Sequence, residues 1–322
     1  MNKKITLNFS LSFTHSTLHI VPRLCVMIFA IIIAGTGCGR KAGEAVTAGA
    51  GRDENPRIIS AAPSNTEIIM ALGMGDCLIA TDPYSGNVPG LPTGLPQIDF
   101  FYPDTEAVIG LAPDMIFVNE INSYGVADNP FKLLGDLGIR VIEVRTSTSI
   151  EGICGDIIFI AETLGAGKRG EELVSSMKEE IESIRAAGEK MTEKKSVYFE
   201  VSAMPLMVSF GRETYLNEMI EIAGGENIFS DQKGWFSPSA EEIVIRDPEI
   251  ILTFMYQGED PVEGIMSRGA FENIRAVRQK QVFVIDADSA SRPSHNILKA
   301  LGEMAGAINP GAGKLLHYEN PR

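Results

Sequence analysis

Residues 167–191 read GKRGEELVSSMKEEIESIRAAGEKM, and this stretch predicts one long helix without a proline. The spacing of four, four and three positions places its apolar residues on one helix face, and these are Leu173, Met177, Ile181 and Ile184. At about 1.5 Å per residue the helix spans roughly 35 Å, the width of a small domain. We expect it to act as a strut between two lobes; an ordinary surface helix of one α/β domain is the alternative.

On both sides of this helix, short apolar runs alternate with helices that begin at capping residues. The predicted strands are 58–59, 78–80, 115–118 and 141–144 before the helix, and 197–201, 250–253 and 282–285 after it. Capping boxes are predicted at residues 64–67 and 239–242. Gly224 and Gly225 are interpreted as the end of a helix. The alternation predicts the α/β class, with βα units of the Rossmann kind in each half.

The second half repeats part of the first. A shift of 135 residues aligns residues 105–116 with residues 240–251 and matches Glu with Glu, Pro with Pro and Ile with Ile. The same shift places Phe100-Phe101 on Trp235-Phe236. Two similar lobes related by a pseudo-twofold axis account for this repeat. Chance similarity between two generic βα units is the alternative.

The N-terminus is interpreted as a targeting segment. Three basic residues precede the apolar run 24–34, which is too short to cross a membrane as a permanent helix. The run ends in Gly35-Thr36-Gly37-Cys38, which resembles a bacterial lipobox whose cysteine, Cys38, is lipidated, although Gly35 replaces the usual Leu. Plain secretion and a retained anchor are the alternatives. The expected division is a signal peptide at 1–37, a flexible tether at 38–55, an N-terminal lobe at 56–165, the linking helix at 166–192 and a C-terminal lobe at 193–322.

Composition and missing motifs argue against catalysis and against a metal site. The net charge of -14 disfavours nucleic acid or an anionic lipid surface as a partner. The sequence contains no G-x-S-x-G, Walker A or H-E-x-x-H motif. Beyond residue 38 it holds only His295 and His317, too few for a histidine-based catalytic or metal centre. Cys77 and Cys154 are expected to be buried free thiols, with a disulfide as the less favoured reading.

Aromatic and polar residues cluster in the loops after the predicted strands, where α/β sheets bind ligands. The candidates are Tyr84, Phe100, Phe101, Tyr102, Trp235, Asp286, Asp288 and Arg292. Aromatic side chains provide a flat wall for a large planar ligand, and Asp and Arg can hold its polar edge. The alternative is that Phe101 and Phe236 belong to the core and only Trp235 is exposed.

Five segments resemble the ABC-transporter substrate-binding proteins of the iron-siderophore, haem and cobalamin type. They are RIISAAPSNTEIIMALGMGD at 57–76, YPDTEAVIGLAPDMIF at 102–117, ETYLNEMIEIAGGENIF at 213–229, KGWFSPSAEEIVIRDPEIILT at 233–253 and VFVIDADSASRP at 282–293. The resemblance covers residues 57 to about 310. It implies two Rossmann-like βα lobes joined by a single long helix, the class III periplasmic-binding-protein fold, with the ligand in the cleft between the lobes.

The resemblance also implies roles for individual residues. Tyr84, Phe100 and Trp235 match positions that line the cleft of cobalamin-binding members, and Asp288 and Arg292 match polar ligand contacts. Phe100 stands where a cobalamin-binding member has Trp, which alters the aromatic wall. In addition, Glu106 and Glu241 match two surface glutamates that dock onto the permease subunits of the importer.

The function expected from these arguments is capture of a large metal chelate and its delivery to an ABC importer, without catalysis and without a resident cofactor. Cobalamin or a related corrinoid is the first choice of ligand. A ferric siderophore is the second, although only Arg212 and Arg292 are basic candidates, and haem is the third, with Tyr84 or Tyr102 as its axial ligand. An extracytoplasmic enzyme or sensor on the same fold is a further alternative. The protein is expected to be a monomer held at a bacterial membrane, facing the periplasm or the cell surface, through its lipid anchor alone.

Overall fold

The computed structural model describes residues 55–99, 103–120, 130–203, 205–254 and 260–310. The predicted signal peptide, most of the tether, Cys38, Phe100, Phe101 and Tyr102 lie outside the described residues, so their predicted roles stay predictions. The described chain forms two parallel sheets of four strands, one built before the long helix and one after it.

The first lobe contains strands β1 to β4 in the order β2-β1-β3-β4, all parallel. The strands are β1 Ile58–Ser60, β2 Leu78–Thr81, β3 Met115–Asn119 and β4 Arg140–Val144. The helices are α1 Pro63–Ala71, α2 Thr105–Gly110, α3 Pro130–Asp136 and α4 Ile150–Thr163. All four strands agree with the predicted ones to within two residues, because buried apolar runs bounded by polar turns are a strong local signal.

The second lobe contains a sheet in the order β10-β9-β5-β7 and a small antiparallel ribbon, β6-β8. The strands are β5 Lys195–Glu200, β6 Ser209–Phe210, β7 Gly225–Asn227, β8 Trp235–Phe236, β9 Ile250–Phe254 and β10 Val282–Ile285. The helices are α6 Tyr215–Ile222, α7 Ala240–Arg246, α8 Pro261–Met266, α9 Arg275–Arg278, α10 Ala287–Ser291 and α11 Ile297–Ile308.

The linking helix α5 runs over Gly167–Gly188, 22 residues, which confirms the predicted strut. Its buried side includes Met177, Ile181 and Ile184 as expected, whereas Val174 is buried more deeply than Leu173. One apolar cluster continues from the first sheet through this face of α5 into the second sheet. The two lobes therefore share a hydrophobic core along the helix.

Near each end of α5, a glycine lets the helix pack closely against a neighbouring helix. At Gly170 an added Cβ would lie 2.4 Å from the Ala161 side chain of α4, in the first lobe. At Gly188 it would lie 2.5 Å from the Ile222 carbonyl oxygen of α6, in the second lobe. Because only glycine leaves room for these contacts, each end of the helix packs tightly against a different lobe.

The structure confirms the 135-residue repeat. Helices α2 and α7 begin at Thr105 and Ala240, and strands β3 and β9 begin at Met115 and Ile250, so both pairs are offset by the same shift. The sheet orders β2-β1-β3-β4 and β7-β5-β9-β10 are equivalent when β3 is placed on β9. The two lobes are therefore built on one topology.

Local details repeat as well. Ala112 and Asp247, one shift apart, both have a positive φ, of 46° and 44°, at the turn between helix and strand. Two residues further on, Asp114 Oδ2 accepts a hydrogen bond of 2.8 Å from the backbone N–H of Arg57. Its counterpart is Glu249, whose Oε2 accepts one of 3.1 Å from the backbone N–H of Ser196. Such agreement in left-handed turn residues and in carboxylate-to-backbone hydrogen bonds excludes chance similarity of generic βα units.

Two predicted helix ends need correction. The capping box at residues 64–67 is wrong, because α1 begins earlier, with Pro63 in its first turn and Ala62 as the N-cap residue, without a side-chain cap. The capping box at Ser239 and Glu242 is confirmed. Gly224, with φ of +88°, does follow α6, but Gly225 already belongs to strand β7.

The two cysteines in the described part of the chain, Cys77 and Cys154, are buried free thiols, as predicted. Burial raises the pKa of both, which makes them poor nucleophiles. None of the helices in the described ranges is long and apolar enough to cross a membrane.

Candidate functional site

The loops that follow β2 and β10 meet where the two lobes face each other. Tyr84 lies three residues after β2, is half-buried, and packs against the apolar cluster of the first lobe. Its backbone N–H donates to Asp82 Oδ1 at 2.7 Å, which fixes the turn. Its carbonyl oxygen accepts a hydrogen bond from Arg292 of the second lobe, at 3.0 Å. The structure thus brings together two of the predicted site residues.

Arg292 reaches from the end of α10 into the first lobe. Its Nη1 donates to Glu67 Oε1 at 3.1 Å, and its Nη2 donates to Asn87 Oδ1 at 3.0 Å as well as to Tyr84. Within its own lobe it is paired with Asp288 Oδ1 at 2.7 Å. The Arg292 side chain is only 11% exposed, and its guanidinium group is bound to protein groups rather than to solvent.

Further contacts complete this cross-lobe cluster. The Asn87 side-chain amide donates to Asp288, and the Ser294 hydroxyl donates to Glu67 Oε2. We call Glu67, Asn87, Asp288, Arg292 and Ser294 the interlobe clasp. Burial raises the pKa of Glu67, against the opposing effects of Ser294 and Arg292. The clasp ties α1 of the first lobe to the loop between β10 and α11 of the second.

Trp235 lies elsewhere in the second lobe, in the antiparallel ribbon. In β8 it pairs with Phe210 of β6, and its ring meets the Phe210 ring edge-on, with centroids 5.5 Å apart and planes at 73°. The Trp235 side chain is half-buried, so part of its ring stays accessible. Phe236 is half-buried as well and packs against Phe229, with ring centroids 5.0 Å apart, at the edge of a core cluster.

The other basic side chains of these loops are also engaged. Arg212 Nη1 donates to the carbonyl oxygens of Ser230 and Asp231, both at 3.1 Å. Lys233 forms an ion pair with Glu213 at 2.5 Å. Asp286 caps α10 by accepting from the Ser289 N–H and pairs with a lysine of α11, so it serves the fold. Within the described ranges, acidic, histidine and cysteine side chains form no group suited to a metal ion.

Glu106 and Glu241 lie away from the clasp, on the surface. Each is the second residue of a short helix, α2 or α7, and each is exposed. The helices are capped by Asp104 and Ser239, which accept hydrogen bonds from the backbone. The two glutamates therefore occupy equivalent positions in the two lobes.

The sequence did not identify Glu67, Asn87 or Ser294 as site residues. Glu67 was assigned to a capping box, but its side chain points to the second lobe. Glu67 is buried in the folded chain, and a buried carboxylate requires a partner. Its burial is a property of the structure that the sequence pattern does not show.

Comparison with known proteins places this architecture. A family model described as "Periplasmic binding protein" matches residues 58–289. The chain belongs to the periplasmic binding protein family. An uncharacterized ABC transporter substrate-binding lipoprotein of Bacillus subtilis, YvrC, is 32% identical over 268 residues, 82% of this chain and 83% of that protein. A vitamin B12-binding protein of Vibrio parahaemolyticus is 27% identical, over 77% of this chain and 87% of that protein.

Solved structures of periplasmic binding proteins agree with the fold. A possible iron-binding protein of Staphylococcus epidermidis is 30% identical, with a TM-score of 0.71 over 80% of this chain and 100% of that chain. The vitamin B12-binding protein BtuF of Vibrio cholerae has a TM-score of 0.65 over 82% of this chain and 98% of that chain, at 22% identity, which shows the fold alone. The predicted class III architecture, two α/β lobes joined by one long helix, is confirmed.

Proposed function

We propose that this periplasmic binding protein captures cobalamin or a related corrinoid in the cleft between its lobes and delivers it to an ABC importer. The family is one of transport proteins, and neighbours within it are named for binding vitamin B12, haem or iron. The choice among these ligands is carried by one observation. Three basic side chains near the predicted cleft, Arg212, Lys233 and Arg292, are already bound to protein groups, whereas Arg145, directly after β4, is exposed.

The charge of the ligand determines whether it needs a free basic side chain. Haem carries two carboxylates and many ferric siderophores are anionic, so both gain from an unpaired guanidinium or ammonium group. The rim of a corrinoid consists largely of neutral carboxamides, which need hydrogen bonds rather than a counter-charge. Freeing Arg292 would leave Glu67 buried without its partner, at a cost of several kcal/mol. A neutral rim therefore suits the side of the cleft formed by the clasp better than an anionic one.

The aromatic wall supports the same ligand. Trp235 is held by Phe210 with part of its ring accessible, and Tyr84 is half-buried on the facing lobe. With Phe100, Phe101 and Tyr102, which lie outside the described residues, they would supply the flat apolar surface that a macrocycle needs. In this proposal Asp288 and Arg292 act on the ligand indirectly, by fixing Tyr84 and the lobes around it.

A ferric chelate is the second candidate, and one comparison favours it. The Staphylococcus epidermidis protein described as possibly iron-binding shares 30% identity with this chain, more than the vitamin B12-binding relatives reported above. A neutral hydroxamate complex would fit the paired charges of the cleft as well as a corrinoid does. Haem and anionic siderophores fit less well.

Delivery requires contact with the importer and a place outside the cytoplasm. We assign permease docking to Glu106 and Glu241, which are exposed and equivalent under the repeat, as a two-subunit permease requires. We assign lipidation to Cys38, in line with the Bacillus subtilis relative, which is named as a lipoprotein. The protein then faces the periplasm or the cell surface as an anchored monomer, without catalytic activity of its own.

The chain offers a site-specific test, because Trp235 is its only tryptophan. Titration with cyanocobalamin should quench the intrinsic tryptophan fluorescence of the wild-type protein in a saturable way, with haem and a ferric hydroxamate as competitors. Trp235→Phe should lose the signal but retain most of the affinity in a calorimetric titration. Failure of cyanocobalamin to bind while a ferric chelate binds would overturn the corrinoid assignment. Chemical conversion of the bound ligand would overturn the transport role and favour an enzyme.

A further inference from the structure

Exposed apolar side chains are concentrated on two helices of the first lobe. Within the described ranges, six large hydrophobic side chains are exposed, namely Ile109, Leu133, Leu137, Phe159, Leu206 and Ile245. Ile109 lies on α2, Leu133 lies on α3 and Leu137 directly follows α3, and the two helices pack against each other. Scattered exposed apolar residues need no explanation, but a cluster marks a surface that another molecule covers.

Ile109 and Leu133 lie on the outer sides of these two packed helices. Val108 and Leu134 are both buried in the same apolar cluster beneath the two helices. The residues next to them, Ile109 and Leu133, therefore turn outward on adjoining faces, and they are 42% and 52% exposed. Leu137 follows Leu133 by one helical turn and is 57% exposed. We call Ile109, Leu133 and Leu137 the α2-α3 patch.

The second lobe presents a smaller counterpart. Ile245 is 81% exposed and lies four residues after Glu241, on the same face of α7. In the first lobe, Ile109 lies three residues after Glu106, on the same face of α2. In the second lobe a short 3-10 helix, Gly269–Phe271, packs against α7, and its Phe271 is buried in the core. The two glutamates are related by the repeat, whereas the apolar side chains are not, because Ile109 aligns with Val244 and Ile245 aligns with Gly110.

We propose that the α2-α3 patch and Ile245 are the apolar parts of the contact with the importer's permease subunits, beside the two docking glutamates. This inference rests on the proposed function and adds to it. Each surface combines an acidic residue with apolar side chains on one helix face, which fits a partner surface that is basic and apolar. The equivalence of Glu106 and Glu241 under the repeat fits a partner with twofold symmetry, and the apolar side chains beside them differ between the lobes. Apolar anchors next to a charged rim provide most of the affinity in protein interfaces.

The two surfaces should contribute unequally to docking. The first lobe offers three exposed apolar side chains and the second offers one at its docking helix. The first lobe should therefore hold the permease more tightly. Salt should weaken docking only in part, because screening acts on the glutamates and leaves the apolar contacts intact.

The test compares variants of the mature chain for binding to the purified permease complex of its importer in lipid nanodiscs. The double variant Ile109→Ser, Leu133→Ser should weaken binding roughly tenfold or more. About half of each wild-type side chain is exposed in the free protein and would be buried against the permease. Ile245→Ser should weaken it less. Phe159→Ser is the matched control, a 43% exposed apolar residue on α4, and should leave binding unchanged. Fluorescence titration of Trp235 should give the same ligand affinity for every variant.

Several outcomes would contradict the inference, and they can be told apart from failure of the proposed function. If the serine variants bind like wild type while charge reversal at Glu106 and Glu241 abolishes binding, the apolar contacts are wrong and docking stands. If Phe159→Ser weakens binding as much as the patch variants, the patch has no special role. If wild type does not bind the permease at all, the proposed function fails. If light scattering shows that the patch variants instead dissolve a dimer, the patch is a contact between copies of this chain.

Discussion

Breaking the interlobe clasp should destabilise the whole protein. Replacing Arg292 with Met keeps much of the side-chain volume but removes its hydrogen bonds to Glu67, Tyr84 and Asn87 and its pairing with Asp288. Glu67, only 3% exposed, then loses its guanidinium partner and retains Ser294 in the clasp. Removing one partner of a buried ion pair costs about 3–5 kcal/mol, and we expect about 3 kcal/mol here because Ser294 stays.

The assay is urea denaturation of the mature chain at pH 7, with the free energy of unfolding taken from each curve. Glu67→Leu combined with Arg292→Met should cost less than the sum of the two single variants, with a coupling energy of about 2 kcal/mol. Lys132→Ala is the control, because its pair with Asp136 lies on the surface, is screened by solvent and should contribute little to stability. A cost below about 1 kcal/mol for Arg292→Met, or additive single variants, would refute the clasp as a structural tie.

Further predictions concern stability. Burial raises the pKa of Asp156 to about 6, above its ordinary 3.8, so the stability it contributes is present below pH 4 and is lost as the pH rises through 6. Between pH 4 and pH 7 the free energy of unfolding of Asp156→Asn should therefore fall by about 2 kcal/mol less than that of the wild type. An equal fall in both proteins would contradict this. Gly188→Ala should cost about 2 kcal/mol, because its Cβ would meet Ile222, whereas Gly155→Ala, with open space in α4, should gain up to about 1 kcal/mol; equal thermal shifts would argue against the close approach. Ser239→Ala should lose about 1 kcal/mol with the cap of α7, measured by denaturation; no loss would show that the cap is dispensable.

Much of the fold was predictable because its signals are local. The strands are apolar runs bounded by polar turns, and α5 has an uninterrupted apolar face, so both appear in windows of a few residues. The repeat was visible because Thr105 and Ala240 begin the same helix-turn-strand unit. The ribbon β6-β8 was missed because strands of two residues are too short to show a period.

The clasp was not predictable from local patterns. Glu67 and Arg292 are separated by 225 residues, and only the relative placement of the lobes brings them together. The sequence names Tyr84 and Arg292 as candidate ligand contacts, and the structure adds that the Arg292 guanidinium binds protein groups, Tyr84 among them. Their contact with a ligand stays a prediction. Pairing of charges is a property of the folded chain. The sequence could therefore name the candidate residues but not show which of them are paired with other protein groups.

The central claim is that this cleft accepts a chelate with an uncharged rim, a corrinoid first. Isothermal titration calorimetry of the ligand-free mature chain with cyanocobalamin and, separately, with haem tests it most directly. We expect one cyanocobalamin to bind per chain with a dissociation constant of about 1 μM or below, and haem to bind at least about tenfold more weakly. Haem binding as tightly as cyanocobalamin, or no heat from cyanocobalamin at micromolar protein, would contradict the claim.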